Sequence, residues 1–280
     1  MCVILFSFQP DTETPLILGA NRDEFFTRPT APLHFWDEHK FILAGRDLQA
    51  GGTWLGISRT GRFAAVTNVR EPGVVVADPL SRGELTKNFL TGAELPEQYL
   101  QTIVEQQHRY AGFNLLVGDF STESASLYYL SNRGDGIQEL SAGTYGLSNH
   151  LLDSPWPKVA EGKAKLHARL QGAGADYTLI RQILENPEQA RDEYLPDTGI
   201  DYEREKALSA MFITLPDYGT RASTVLTIGS TRIKCYEQNY SPSSDGKPRY
   251  AGEARCFEFA LEAAPSISST LACPTLKTTP

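Results

Sequence analysis

The chain has 280 residues, 41% hydrophobic and 21% charged, with a net charge of −8. That is a globular composition, with length for one large domain or two small ones. The acidic balance and the lack of a basic run argue against nucleic acid as the main partner, and no apolar run is long enough to cross a bilayer as a helix. The four cysteines, Cys2, Cys235, Cys256 and Cys273, contain no C-x-x-C pair. Neither a zinc site nor a thioredoxin-like motif is therefore indicated, and no cofactor is expected. So few thiols read as reduced. The amino end lacks a secretory signal, with Asp11 and Glu13 soon after its short apolar run, and the expected location is cytoplasmic.

Met1 to Phe8 reads as a strand beginning at the terminus. Met1 precedes a small residue, so its removal would leave Cys2 first, with a free α-amine beside its own thiol. The amine titrates at about pH 8 and the thiol at about 8.5. One residue would then hold a nucleophile and a weak base. A buried structural cysteine is the plainer alternative. Pro15 to Ala20 reads as the second strand of an antiparallel hairpin, delivering Asn21-Arg22-Asp23-Glu24 to the strand end near Cys2. A solvated turn is the common fate of such a run. If buried, its charges must be paired, with Asp23 orienting the α-ammonium and Arg22 lowering the thiol pKa. Asp23 is expected to be largely buried.

Residues 28–51 read as irregular, with His34 and His39 as surface residues. A second hairpin runs from Thr53 to Ser58 and from Arg62 to Asn68, and is expected in one sheet with the first. Ser81 and Glu84 have capping-box spacing at the start of a helix, and Pro96 to Tyr110 forms the next. Strands are expected at Phe113 to Phe120, Ala125 to Ser131 and Gly136 to Leu140. Thr144 to His150 is an apolar run ending on Asn149. Helices are expected over Pro157 to Gln171, Tyr177 to Asn186 and Tyr202 to Met211. Strands return at Ala222 to Ile228, Thr231 to Tyr240 and Glu253 to Leu261. Residues 1–262 read as one domain, and 263–280 as a mobile tail. Strands, then helices, then strands give an α+β domain of two sheets with helices outside.

Several motifs in this order resemble the NRDE family, also called the Transport and Golgi organisation 2 family. They are Met1-Cys2, Asn21 to Glu24, Gly51 to Ile57, Thr67-Asn68, Arg82 to Leu85, Gly112 to Leu115, Thr144 to Asn149, Pro155 to Lys158 and Tyr218 to Arg221. That family resembles the N-terminal nucleophile hydrolases of the choloylglycine hydrolase and penicillin V acylase type. The resemblance implies a four-layer αββα sandwich, with Cys2 as nucleophile and Asp23 holding the α-amine. It implies Asn68 and Asn149 as oxyanion donors and Arg221 as a weaker candidate. Those hydrolases carry an arginine three residues before the aspartate. Here that position is Ala20, and Arg22 precedes Asp23 directly.

Two functions follow from these residues. One is a Cys2-dependent amidohydrolase or acyltransferase acting on a small acyl-amide or acyl-thioester substrate. The other is a non-catalytic carrier of acyl lipid, acyl-CoA or haem, a hydrophobic ligand in the same pocket. Cys273-Pro274 looks like a haem-regulatory dipeptide, although a chance pair in a tail is the plainer reading. For the enzyme, Cys2 is expected to alkylate ahead of Cys235 and Cys256.

Overall fold

A computed structural model describes residues 2–121, 125–172, 176–243 and 247–263. Met1, the tail beyond residue 263 and Cys273-Pro274 lie outside the described residues. β1 (Cys2–Phe8) and β2 (Leu16–Phe25) form the expected hairpin. It is extended by β10 (Gly143–Leu147), β11 (Tyr218–Ile228), β12 (Arg232–Asn239) and β13 (Arg255–Ala260) into a six-stranded sheet. Its order is β10-β1-β2-β11-β12-β13. The seven-stranded sheet runs in sequence order: β3 (Thr30–Phe35), β4 (Ile42–Asp47), β5 (Leu55–Ser58), β6 (Arg62–Asn68), β7 (Phe113–Asp119), β8 (Ser126–Ser131) and β9 (Gly136–Glu139). Every neighbouring pair is antiparallel.

Period-two alternation places one face of each sheet on the other. Ile4, Phe6, Phe8, Leu16 and Leu18 meet Leu33, Leu55, Ile57, Phe63 and Leu116 in the central core. The outer face of the seven-stranded sheet carries α1 (Arg82–Thr91) and α2 (Pro96–Gln106), through Leu85, Phe89, Leu100 and Ile103. The outer face of the six-stranded sheet packs Val3, Leu5 and Val225 against α3 (Pro157–Gly172) and α4 (Tyr177–Leu184), through Leu166, Ile180 and Ile183. A fifth helix, α5 (Tyr202–Leu208), closes the same side. The molecule is an αββα sandwich.

Four expectations need correction. The hairpin β5–β6 lies in the seven-stranded sheet, apart from β1–β2. Both edges of that first hairpin are taken, β1 by β10 and β2 by β11, so the second hairpin stacks face to face with it. Residues 28–51 are not irregular, since β3 and β4 lie there, their register broken between Ala31 and His34. The strand expected to end at Ala20 runs on through Asn21 to Glu24, with Asn21, Arg22 and Asp23 all buried, as expected of Asp23. The capping box at Ser81 does not form: its side chain makes no cap bond, and its carbonyl accepts from the Glu84 N–H at 3.0 Å.

Gly52 explains how closely α1 approaches the sheet. A β-carbon there would meet the Gly83 backbone at 2.5 Å. Backbone cannot swing aside as a side chain does, so Gly52→Ala is expected to cost about 1–3 kcal/mol. Denaturant unfolding measures it, and an unchanged midpoint would refute this packing.

Candidate active site

β2 divides its polar run between two faces. Asn21 and Asp23 point to the helix side. The Asn21 amide donates to the carbonyls of Leu184 (2.8 Å) and Met211 (2.9 Å), and accepts from Ser223 at 2.6 Å. Asn21 is thus a structural tie, anchoring the end of α4 and the segment after α5 to the sheet. Asp23 is 1% exposed, and its carboxylate accepts from the Thr220 hydroxyl at 2.7 Å. Burial raises its pKa, and the Lys158 ammonium opposes this. Lys158, at the start of α3, donates to the Leu208 carbonyl at 2.9 Å. Burial lowers its pKa to about 8, against the pull of Asp23.

Arg22 points between the sheets, on the face that also holds Ala20. It is the cross-strand partner of Cys2. Its guanidinium donates to Thr30 at 3.1 Å and lies 4.2 Å from the ring centre of Trp54. Because alternate strand residues share a face, positions 20 and 22 point to the same side of the sheet, about 7 Å apart along the strand.

The half-buried Cys2 opens into a cleft of about 310 Å³ at this end of the sandwich. Arg22, Trp54, Asn68, Ser81 and Arg82 also line it. Ser81, Arg82 and Gly83 bring the positive end of the α1 dipole to one wall. Arg82 donates to the Gly112 carbonyl at 3.1 Å. Burial lowers its pKa, and Cys2 leads the groups that oppose the shift. Arg28 and Glu24 also reach the cleft, Arg28 held by Asp47 at 2.7 Å.

Behind the cleft, side chains stitch the ends of the two sheets together. Ser148 donates to the Cys2 carbonyl at 3.0 Å, and Thr67 to the Ser148 carbonyl at 2.7 Å. The fully buried Asn149 donates through its amide to the Asn68 carbonyl at 2.9 Å, and its own carbonyl accepts from the Arg70 N–H at 2.8 Å. Asn68 therefore stands on the cleft wall, and Asn149 one hydrogen bond behind it.

Of the residues singled out from sequence, Cys2, Arg22, Asp23 and Asn68 line the cleft. Arg221 does not. The register between β2 and β11 slips at Arg221, so its side chain leaves the alternation and turns to a neighbouring cavity. Arg82, Trp54 and Lys158 were missed as site residues, although each sits in a segment that carries the family resemblance. What could have marked them is charge or aromatic bulk next to glycine and proline, in Gly52-Thr53-Trp54, Arg82-Gly83 and Pro157-Lys158.

The thiol itself needs a correction. Burial raises its pKa and the Asp23 carboxylate adds to this, while the charge of the amino terminus, the Asp23 N–H and Arg22 pull the other way without reversing it. The expected lowering by Arg22 is thus outweighed. Cys256 is exposed and Cys235 buried. Iodoacetamide attacks the thiolate, and a raised pKa leaves Cys2 less of it at neutral pH than a free thiol has. Cys256 is therefore expected to alkylate first at pH 7, with the Cys2 rate still climbing at pH 9. Peptide mapping of a pH series reads both. A Cys2 rate already level at pH 7 would mean a thiolate site.

A profile of the Transport and Golgi organisation 2 family matches residues 1–242. The mouse protein described as Transport and Golgi organization 2 homolog is 35% identical over 279 residues, covering 94% of this chain and 100% of the relative. The human homolog is 36% identical with the same coverage, and the Drosophila melanogaster protein 28% identical over 82% of this chain and 88% of its own. Among solved structures, a conjugated bile acid hydrolase from Clostridium perfringens aligns with TM-score 0.45 and 8% identity, covering 95% of this chain and 99% of its own. A Caenorhabditis elegans ortholog of N-acylethanolamine-hydrolyzing acid amidase aligns with TM-score 0.38 and 11% identity, over 80% and 92%. No helix among the described residues is long and apolar enough to cross a membrane.

Proposed function

The chain belongs to the Transport and Golgi organisation 2 family, and from that premise we propose that it is a cysteine-dependent N-terminal nucleophile amidohydrolase or acyltransferase acting on an acyl-amide or acyl-thioester. The observation that carries this reading is the position of Cys2. It is the only cysteine of the described residues that opens into the cleft shared with Arg22, Asn68 and Arg82.

Once Met1 is removed, residue 2 carries its own base. With Met1 in place, burial raises the pKa of this thiol. Its proton must therefore leave as it attacks, which suits a general base beside it better than a preformed thiolate. The Cys2 sulfur bonds to the acyl carbon while its proton passes to the α-amine. The carbonyl π pair moves onto oxygen, facing Asn68, whose position Asn149 fixes from behind through its bond to the Asn68 carbonyl. Arg22, Arg82 and the α1 dipole favour that negative charge. As the oxyanion collapses, the carbon–nitrogen or carbon–sulfur bond breaks and the ammonium returns the proton to the leaving group. Water or an amine then attacks the acyl-thioester, releasing the acid or the new amide with a free thiol. Asp23 holds the α-ammonium in place. Arg221, set in the next cavity, takes no part in this step.

The test is a covalent one. Protein shown by intact mass to lack Met1 is incubated with a p-nitrophenyl acyl ester and digested. An acyl mass shift on the Cys2 peptide is expected, absent from Cys2→Ala. Ligand retained without any adduct would replace this reading with the carrier.

A further inference from the structure

A second cavity of about 360 Å³ lies against the first, and the two share Arg22 and Trp54. The stacked pair is the partition between them. On its far side the cavity is lined by Arg221, Tyr240, Glu253 and Arg255. Three guanidinium groups thus converge on one small space. Each is fixed by neutral groups. Arg22 rests on Thr30 and Trp54. Arg221 donates to the carbonyls of Phe25 (2.8 Å) and Arg28 (3.1 Å) and lies over Phe26. Arg255 donates to the Leu33 carbonyl at 3.2 Å.

Among the described residues no carboxylate oxygen lies within 4.0 Å of any of the three. The buried Glu237 faces Arg255 and Arg22. It is spent on the Leu33 N–H (2.7 Å) and the Asn239 amide (3.0 Å). Glu253 stands exposed at the rim and Glu24 opens to the cleft side. Burial lowers the Arg221 pKa and Arg22 lowers it further, as like charges facing one space must. Arg22 is only 6% exposed. The charges of Glu237 and Asp23 reach the buried Arg22 through space and not by an ion pair, and the bulge that turns Arg221 toward Arg22 adds a like charge.

We infer that this cavity is an anion subsite, taking the carboxylate or phosphate of the same ligand whose acyl end lies in the Cys2 cleft. The part played by the acyl end rests on the acyl-transfer reading above, whereas the subsite itself does not. The ligand class is an acyl compound with a headgroup charged −1 or −2, its chain passing the Arg22–Trp54 partition.

Calorimetric titration of the intact chain with decyl phosphate, decanoate, decanol and inorganic phosphate tests this. Both alkyl anions are expected to bind at least about tenfold tighter than decanol, as charge-assisted bonds to arginine give. Arg255→Gln, at an exposed position on the edge strand, should weaken the anions about tenfold and leave decanol unchanged, and Arg255→Lys should restore most of the loss. Arg221→Gln should act in the same direction. Equal affinity for decanol and the anions, or anion affinity untouched by Arg255→Gln, would overturn the subsite. Inorganic phosphate binding as tightly as decyl phosphate would overturn the headgroup assignment in favour of a free small anion. Cys2→Ala should keep the anion preference while losing the acyl adduct. A protein that forms the adduct with no anion preference would therefore sink the subsite alone.

Discussion

Cys2→Ala is expected to take amide and thioester cleavage down by about 10⁴-fold or more, the scale on which losing a covalent nucleophile acts. The fold should survive. Cys2 is half-buried at the open end of β1, with its carbonyl, not its thiol, holding Ser148. Circular dichroism and unfolding midpoint should therefore match the parent. Cys2→Ser should retain a trace, since a hydroxyl is a poorer nucleophile at neutral pH. Asn68→Ala should cost about 10²–10³ in kcat, as removal of one oxyanion donor does. That Asn68 result separates chemistry from binding, because a carrier would show altered affinity and no rate to lose. Unchanged cleavage by Cys2→Ala would end the hydrolase assignment.

The second large effect is on stability. Arg70 and Glu205 form an ion pair with both side chains 7% exposed, and Glu205 also accepts from the Thr198 N–H at 3.3 Å. Arg70 lies 4.9 Å from the Trp156 ring centre. Glu205→Gln takes the negative charge out of this buried pair, and is expected to cost about 3 kcal/mol or more. For a chain of this size that is roughly 6–12 °C in Tm. The double variant Arg70→Met with Glu205→Leu should recover most of the loss, because it removes both desolvated charges together. The pair also bears on the site. The Arg70 N–H holds the Asn149 carbonyl, and Asn149 holds Asn68. Loosening Arg70 should therefore lower kcat through Asn68 more than it raises KM. A Tm within about 2 °C of the parent in Glu205→Gln would show the pair to be solvated.

Local pattern carried much of this protein. The short apolar runs of β1, β6 and β7, buried on both faces, and the helical spacing of Leu100 and Ile103 were legible because both signals are written in neighbouring residues. The pairing of Cys2 with Arg22 was close to legible too, since a short turn sets the register of a hairpin. The burial of Asp23 followed from an ionic run appended to an apolar strand, and its strand conformation did not, because Asn21 to Glu24 have no β propensity of their own. Their extended backbone is imposed by β11, whose residues 218–228 pair with 16–25 from across the chain. That one long-range pairing filled the free edge of β2, sent the second hairpin to the opposite sheet, and made Arg221 a bulge. It also left three arginines around one space, hydrogen-bonded to neutral groups. Charge spacing along a sequence cannot show which guanidinium finds a carboxylate, because the partner is chosen by strand order and by which face each residue presents. The family motifs pointed to Cys2 as the candidate nucleophile. Only the stacking of two sheets decided what stands around it.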